Sequence, residues 1–175
     1  MDAGSTQEAS VYLGVALGHW IQSGAIFSAI AAALLTTKSS EKSSRHRATI
    51  DLILNQQNDE KLNNAKKAIT RIRSQNNHSF ATYASPKNED ETEELNHILA
   101  ILNHHEFASL AIREKAIDDA VYKRAFYSQI IKDWESFEGL ITELRRQKQR
   151  PTLFQEFETL RNRWKNKPLK ADKVH

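Results

Sequence analysis

The sequence contains no cysteine and only five glycines and three prolines among its 175 residues. Without cysteine the chain can form neither a disulfide bridge nor a thiolate metal site, which fits a reducing compartment. Glycine and proline build turns and interrupt helices. Their scarcity, beside 25 basic and 22 acidic residues, favours long helices over a turn-rich sheet. No segment alternates convincingly between apolar and polar residues with a period of two. The composition therefore predicts an all-α protein.

Charge is also scarce at the beginning of the chain. Asp2 and Glu8 are the only charged residues before Lys38, and the 25 residues from Val11 to Leu35 carry no formal charge. As a helix this run would span about 37 Å, more than the roughly 30 Å hydrocarbon core of a bilayer. A cleaved signal peptide usually begins with positive charge, and a surface-lying helix needs a charged face. We therefore predict a transmembrane helix over residues 11–36.

The residues that flank this run predict its orientation. Lys42, Arg45 and Arg47 follow it closely, whereas the residues before it are acidic. Basic residues remain on the cytoplasmic side of a membrane. The prediction divides the chain into a short extracytoplasmic N-terminus, the membrane helix, a basic linker and a cytoplasmic helical domain, over residues 1–10, 11–36, 37–47 and 48–175.

Two faces of the predicted membrane helix suggest self-association. Small residues share one stripe and would let neighbouring helices approach closely: Gly14, Gly18, Ala25 and Ala29. A narrower polar face holds His19, Gln22 and Ser23, which would be costly to expose to lipid. Several copies could turn these three side chains inward and line a pore. The alternative is a plain anchor that tolerates them and recruits a partner.

Apolar residues at helical spacing continue through the rest of the chain. One stretch follows Asp59 and ends at Gln75, and a second follows an acidic cluster that suits the positive end of a helix. Asp118 is predicted to cap a further helix, and Pro151 to separate it from the last one. This pattern predicts a compact helical bundle. Its candidate core residues on the second stretch include Leu95, Ile98, Leu99, Leu102, Phe107, Leu110 and Ala111.

Several short segments between Leu102 and Trp164 carry a family resemblance: Leu102-Asn103-His104-His105-Glu106-Phe107, Ala111-Ile112, Ile117-Asp118, Trp134 and Pro151-Thr152-Leu153. With the N-terminal anchor and the chain length, they resemble the small membrane accessory proteins encoded in type VI-B CRISPR loci. The resemblance implies a bacterial inner-membrane protein that forms pores as a homo-oligomer of about six or more copies. It further implies antiviral defence beside an RNA-guided nuclease effector, and a HEPN-like helical domain.

HEPN ribonucleases share a motif in which four to six residues separate an arginine from a histidine. Four residues lie between Arg73 and His78, and six lie between Arg71 and His78, so both pairs match this spacing. The chemistry that the resemblance implies needs no metal, because histidine transfers the proton and arginine stabilises the charge on the phosphate. A membrane-tethered ribonuclease is therefore the alternative function. The sequence does not decide whether the protein is an enzyme.

Polar residues also interrupt the second apolar stretch. Asn103, Glu106 and Arg113 are expected to share a helical face and to form a structural hydrogen-bond network. The neighbouring histidines lack a carboxylate pattern such as His-Glu-x-x-His, so neither a metal nor another cofactor is predicted. The basic run 145–150 and the basic tail could contact RNA or anionic lipid, but a solvated surface is the favoured interpretation.

Overall fold

A computed structural model describes residues 40–74 and 79–170 of the chain. Every regular element in these two ranges is helical, which confirms the all-α prediction. Residues 45–170 belong to one compact unit. The elements are α1 over 40–58, α2 over Glu60–Ser74, a 3-10 helix over Phe80–Ala84, α3 over Glu89–Arg113, α4 over Asp119–Lys148 and α5 over Gln155–Asn166.

The first helix begins earlier than the sequence suggested. Helix α1 already includes residues 40–47, within the segment expected to be a linker. Its Thr49 side chain is buried, and the backbone N–H of Asp118 donates to the Thr49 hydroxyl at 2.7 Å. Gln56 donates to the hydroxyl of Tyr122 at 3.1 Å. These contacts fasten α1 to the beginning of α4.

Local side-chain caps explain where α3 and α4 begin. Asn88 accepts from the backbone N–H of Glu91, and three acidic residues occupy the first turn of α3. Asp118 accepts from the backbone N–H groups of Ala120 and Val121, as its predicted role as a cap requires. Helix α4 ends at Lys148, and Gln149 takes the left-handed conformation with φ 50°. Pro151 lies in the turn before α5, as predicted.

The short segment between α2 and α3 contributes more than the sequence suggested. Although it lies between the two helical stretches of the sequence and is rich in polar residues, Phe80–Ala84 forms a 3-10 helix whose Phe80, Tyr83 and Ala84 are buried. The Ser79 side chain accepts from the backbone N–H of Ala81 and caps this turn. The ring of Phe80 meets that of Phe137 edge to face, with centroids 4.9 Å apart. This segment therefore closes the bundle over α4.

Helix α3 buries a different face from the one that its largest apolar residues suggested. Ile98 and Leu102 are buried as expected, but Phe107 is 62% exposed and Leu110 is 37% exposed. Their expected place in the core was therefore wrong. The buried side at that level carries His105, Ala108, Ser109 and Ile112 instead. The apolar residues of α3 lie on several sides of the helix, so the periodicity of its sequence does not identify a single buried face.

Aromatic side chains of α4 and α5 lie in the core of the bundle, beside aliphatic residues of α2 and α3. Trp134, Phe137, Phe157 and Trp164 are all at most 2% exposed. Trp134 and Phe157 meet edge to face at 5.2 Å between centroids. Each large ring of this kind buries about 150–250 Å² of surface, so these four side chains contribute strongly to the stability of the core.

Within residues 40–74 and 79–170, no helix combines the length and the apolar composition that crossing a membrane requires. The predicted membrane helix, with its seam residues Gly14, Gly18, Ala25 and Ala29 and its polar residues His19, Gln22 and Ser23, lies outside the described residues.

Candidate functional site

A charged network is buried where α2, α3 and α4 meet, and Asp133 is its centre. Asp133 is 2% exposed, and its Oδ1 accepts from the Nη2 of Arg73 at 2.7 Å. Its Oδ2 lies 2.8 Å from Nε2 of His105, which is 5% exposed. Gln129, one turn earlier on α4, donates to both carboxylate oxygens at 2.8 Å. Side chains 28 and 60 positions away in sequence therefore converge on one carboxylate.

The guanidinium of Arg73 lies between this polar centre and the aromatic core. It also donates to the hydroxyl of Ser136 at 3.0 Å. Its Cζ lies 5.5 Å from the ring centroid of Phe137 and 5.9 Å from that of Phe80, within the range of cation–π attraction. The Arg73 side chain as a whole is 20% exposed. Arg73 thus joins the end of α2 to α4.

Two opposing effects set the ionisation of Asp133. Burial by itself would raise the pKa of the carboxyl, but hydrogen bonds from His105, Arg73 and Gln129 outweigh it and hold the pKa below its ordinary value. An ionised carboxylate only accepts hydrogen bonds, so Nε2 of His105 must carry the proton that it donates. In neutral His105 the lone pair is therefore on Nδ1.

A histidine oriented by a carboxylate is a common component of acid–base sites. Here, however, the ring of Phe157 covers that of His105 with centroids 4.7 Å apart and planes 31° apart. With 5% of His105 exposed, a substrate has no direct approach to Nδ1. The network is therefore suited to holding three helices together rather than to contacting a substrate in this conformation.

The neighbouring histidine differs in its environment. The pKa of His104 is lowered to about 4, chiefly by burial and to a lesser extent by the neighbouring His105 and Lys66, against an opposing effect of Asp59. His104 is consequently neutral near pH 7. In the described part of the chain, no three histidine or acidic side chains are grouped so as to hold a metal ion.

The predicted polar network is present only in part. Glu106 accepts from the backbone N–H groups of Glu156 and Phe157, at 3.2 and 2.8 Å, and so caps the first turn of α5. Arg113 pairs with the side chain of Glu156 at the same place. Asn103 lies on the exposed side of α3 and takes no part in these contacts. Glu106 is needed there because Phe154, the residue before α5, offers no side-chain cap of its own.

The two candidate catalytic arginines both form ion pairs. Arg73 lies in the buried network, whereas Arg71 pairs with Glu94 at 2.8 Å on the surface. His78 lies outside the described residues. Sequence reasoning missed Asp133 as the partner of Arg73. The sequence did carry a signal for Asp133. It is an acidic residue next to Trp134 and three residues before Ser136, on the face of α4 that otherwise buries apolar side chains.

The basic run is partly neutralised. Arg145 donates to Glu158 at 2.8 Å and to the backbone carbonyl of Leu153 at 2.9 Å. Arg146 pairs with Glu143, and this contact lowers the pKa of Glu143 to about 2. Lys148 and Arg150 are exposed. This arrangement is closer to a solvated surface than to a continuous nucleic-acid groove.

The described residues thus define an all-helical protein whose bundle is fastened by a buried charged network. Residues 23–164 match the family described as a domain of unknown function, DUF4760. The chain belongs to this family. No curated protein and no solved structure matches it. The family match begins inside the predicted membrane segment and ends at Trp164, the last buried residue of α5.

Proposed function

We propose that the protein is a single-pass bacterial inner-membrane protein that self-associates through its anchor and exposes the helical bundle to the cytoplasm. The observation that carries this proposal is the run of 25 uncharged residues from Val11 to Leu35, with basic residues directly after it. The beginning of α1 supports it, because Lys42 and Arg47 are exposed there and are available to anionic headgroups.

In the proposed assembly, the polar face of the anchor lines a pore. Lipid would solvate His19, Gln22 and Ser23 poorly, and a ring of about six or more helices would surround them with water and with one another. The resemblance to accessory proteins of type VI-B CRISPR loci suggests the setting, in which the pore acts during antiviral defence beside an RNA-guided nuclease. The same resemblance is the basis for treating the bundle as HEPN-like.

The first experiment measures the mass of the full chain in mild detergent by light scattering, with the detergent contribution subtracted. We expect about six or more copies. The conductance of the purified protein in planar bilayers then tests the pore, using H19L and Q22L against L17A as a matched control, since position 17 lies about 140–160° around the predicted helix from both. The first two variants should lose conductance and the control should keep it. A monomer in detergent, or equal conductance in all three variants, would overturn the proposal that the protein forms a pore.

The alternative function is a metal-independent ribonuclease that uses Arg73 and His78. The buried ion pair weighs against it, because Asp133 already neutralises the guanidinium that would have to stabilise a phosphate. We expect H78A to leave RNA cleavage and defence unchanged. Loss of a measurable cleavage activity in H78A, with the melting temperature preserved, would favour the ribonuclease instead. If H78A, H19L and Q22L all leave defence intact, neither the ribonuclease nor the pore is supported, and the protein is a plain anchor that recruits a partner.

A further inference from the structure

Helix α1 buries polar side chains and exposes two of its large apolar ones. Thr49 is fully buried and Gln56 is 5% exposed, and hydrogen bonds join both of them to the beginning of α4. Ile50, in contrast, is 40% exposed and Leu54 is 50% exposed. Three partly buried apolar residues also pack against the core: Ala48, Leu52 and Ile53. The outward side of α1 is therefore apolar where a helix on the surface of a soluble bundle carries polar side chains.

The two exposed apolar residues share a narrow stripe with one basic residue. At 100° per residue, Ile50 and Leu54 lie about 60° and 20° around the helix from Arg47. All three are exposed, and we call them the α1 stripe. Asp51 lies about 40° from Arg47 in the other direction, at the edge of the stripe, where its carboxylate remains in water. An apolar surface bordered by a long basic side chain is typical of a helix that lies in the surface of a bilayer.

The position of α1 in the chain brings this stripe close to the membrane. The predicted anchor ends at residue 36 and α1 begins at residue 40, so four Cα–Cα steps separate them, which is at most about 14 Å. A free partner would have to reach the stripe by diffusion, whereas the chain itself holds the bilayer beside it at high effective concentration. The inference rests in this respect on the proposed function.

We propose that the α1 stripe lies in the headgroup region of the membrane that carries the anchor, so that α1 runs along the bilayer surface. In this arrangement Ile50 and Leu54 reach the upper acyl chains, and Arg47 binds anionic lipid phosphates. If α1 continued along the membrane normal instead, Ile50 would lie about 15 Å beyond the first residue of the helix, in water. Because Thr49 and Gln56 fasten α1 to α4, this contact also holds the bundle against the membrane.

The absence of cysteine allows a single labelled position in the full-length chain. Chains carrying I50C or L54C are labelled with bimane and reconstituted in vesicles of phosphatidylethanolamine and phosphatidylglycerol whose upper acyl chains are brominated. We expect the brominated lipid to quench both positions about threefold more strongly than T142C. Thr142 is a matched control, because it is exposed on α4 and lies about 30 Å along that helix from Tyr122, where α1 is fastened. Equal quenching at all three positions would overturn the proposal.

A charge change tests the part of Arg47 in this contact. In the L54C background, R47E should lower the quenching about twofold, because the carboxylate is repelled by phosphatidylglycerol, and R47K should preserve it. Arg47 is exposed, so both variants are expected to keep the near-ultraviolet circular dichroism of the parent chain. Unchanged quenching in R47E would overturn the assignment of Arg47 to anionic headgroups.

A second copy of the chain is the competing occupant of the stripe, and oxidation of the same variants detects it. If I50C chains form a disulfide-linked dimer and the brominated lipid does not quench the label, a second copy covers the stripe and the proposal is wrong. Flotation of the vesicles separates failure of this inference from failure of the proposed function. A chain that floats with the vesicles but is not quenched is anchored without the α1 contact, so only this inference fails. A chain that does not float has no membrane anchor, and the proposed function fails with it.

Discussion

The buried pair between Arg73 and Asp133 allows a quantitative test of how the bundle is held together. In R73M the methylene stem is largely kept while the charge is lost. Asp133 then retains Gln129 and His105 but loses its permanent positive partner in a site where it is 2% exposed. Breaking a buried ion pair from one side costs about 3–5 kcal/mol of unfolding free energy. Because the two other donors remain and the Arg73 side chain is 20% exposed, we expect a value near 3 kcal/mol.

For a domain of this size, that loss corresponds to a fall of roughly 10 °C in melting temperature. Near-ultraviolet circular dichroism of the full chain in mild detergent can measure it, since Trp134 and Trp164 are buried and report on tertiary packing. The matched control is R71M. Arg71 also pairs with a glutamate at 2.8 Å, but its side chain is 64% exposed, so its loss should cost less than about 1 kcal/mol.

The comparison has a clear refuting result. If R73M and R71M melt within about 2 °C of each other, the buried network does not stabilise the bundle and the convergence on Asp133 has another role. A double variant, R73M with D133L, removes both charges and should recover part of the loss, because well-packed apolar side chains can replace a buried ion pair. If the double variant is as unstable as R73M, the loss of stability comes from altered packing and not from the unpaired charge of Asp133.

The remaining predictions concern pH, a helix cap, a glycine and a tyrosine. The folded-state pKa of Asp133 is lowered, so its stabilising contribution is complete above the unfolded value of about 3.9 and is lost as pH falls through the folded pKa. Acid melting curves of wild type should therefore fall more steeply below about pH 4 than those of D133N, and parallel curves would contradict this. E106A should cost about 1 kcal/mol and speed amide exchange in the first turn of α5, and unchanged exchange there would exclude the cap. G139A should stabilise by about 0.5–1 kcal/mol, because the added Cβ meets the Cβ of Ala81 at 3.4 Å in ordinary contact; a lower melting temperature would show that α4 cannot accept it. Burial and Glu94 raise the pKa of Tyr83 to about 12, so the Y83F difference spectrum should show that this phenol ionises well above pH 10, and ionisation near pH 10 would refute its contact with Glu94.

The helices could be predicted from the sequence where local signals agree. Leu62, Ala65, Ile69 and Ile72 recur at helical spacing, and all four are buried on α2. The capping role of Asp118 also followed from its place before an apolar pattern. These features depend on residues within one or two turns of each other, which a single sequence displays directly.

The site could not be predicted because its partners are distant in sequence. Asp133 contacts Arg73 across 60 positions of sequence, and no local pattern pairs an acidic residue on α4 with a basic residue at the end of α2. For the same reason Phe107 was misplaced, since the face that α3 buries is decided by where α2 and α5 pack rather than by its own periodicity. Glu106 was expected in a structural hydrogen-bond network, but its own sequence neighbourhood does not show that its partners are backbone N–H groups of α5.

The way in which α5 begins has a consequence for the order of folding. A helix of 12 residues is marginal in water by itself, and the carboxylate that closes its first turn belongs to Glu106, about 50 positions earlier. The helix therefore gains its full stability only when it docks on α3, which the growing chain has already completed. During synthesis α5 would be the last element to join the bundle, and Phe157 would then cover His105 and close the interior of the domain.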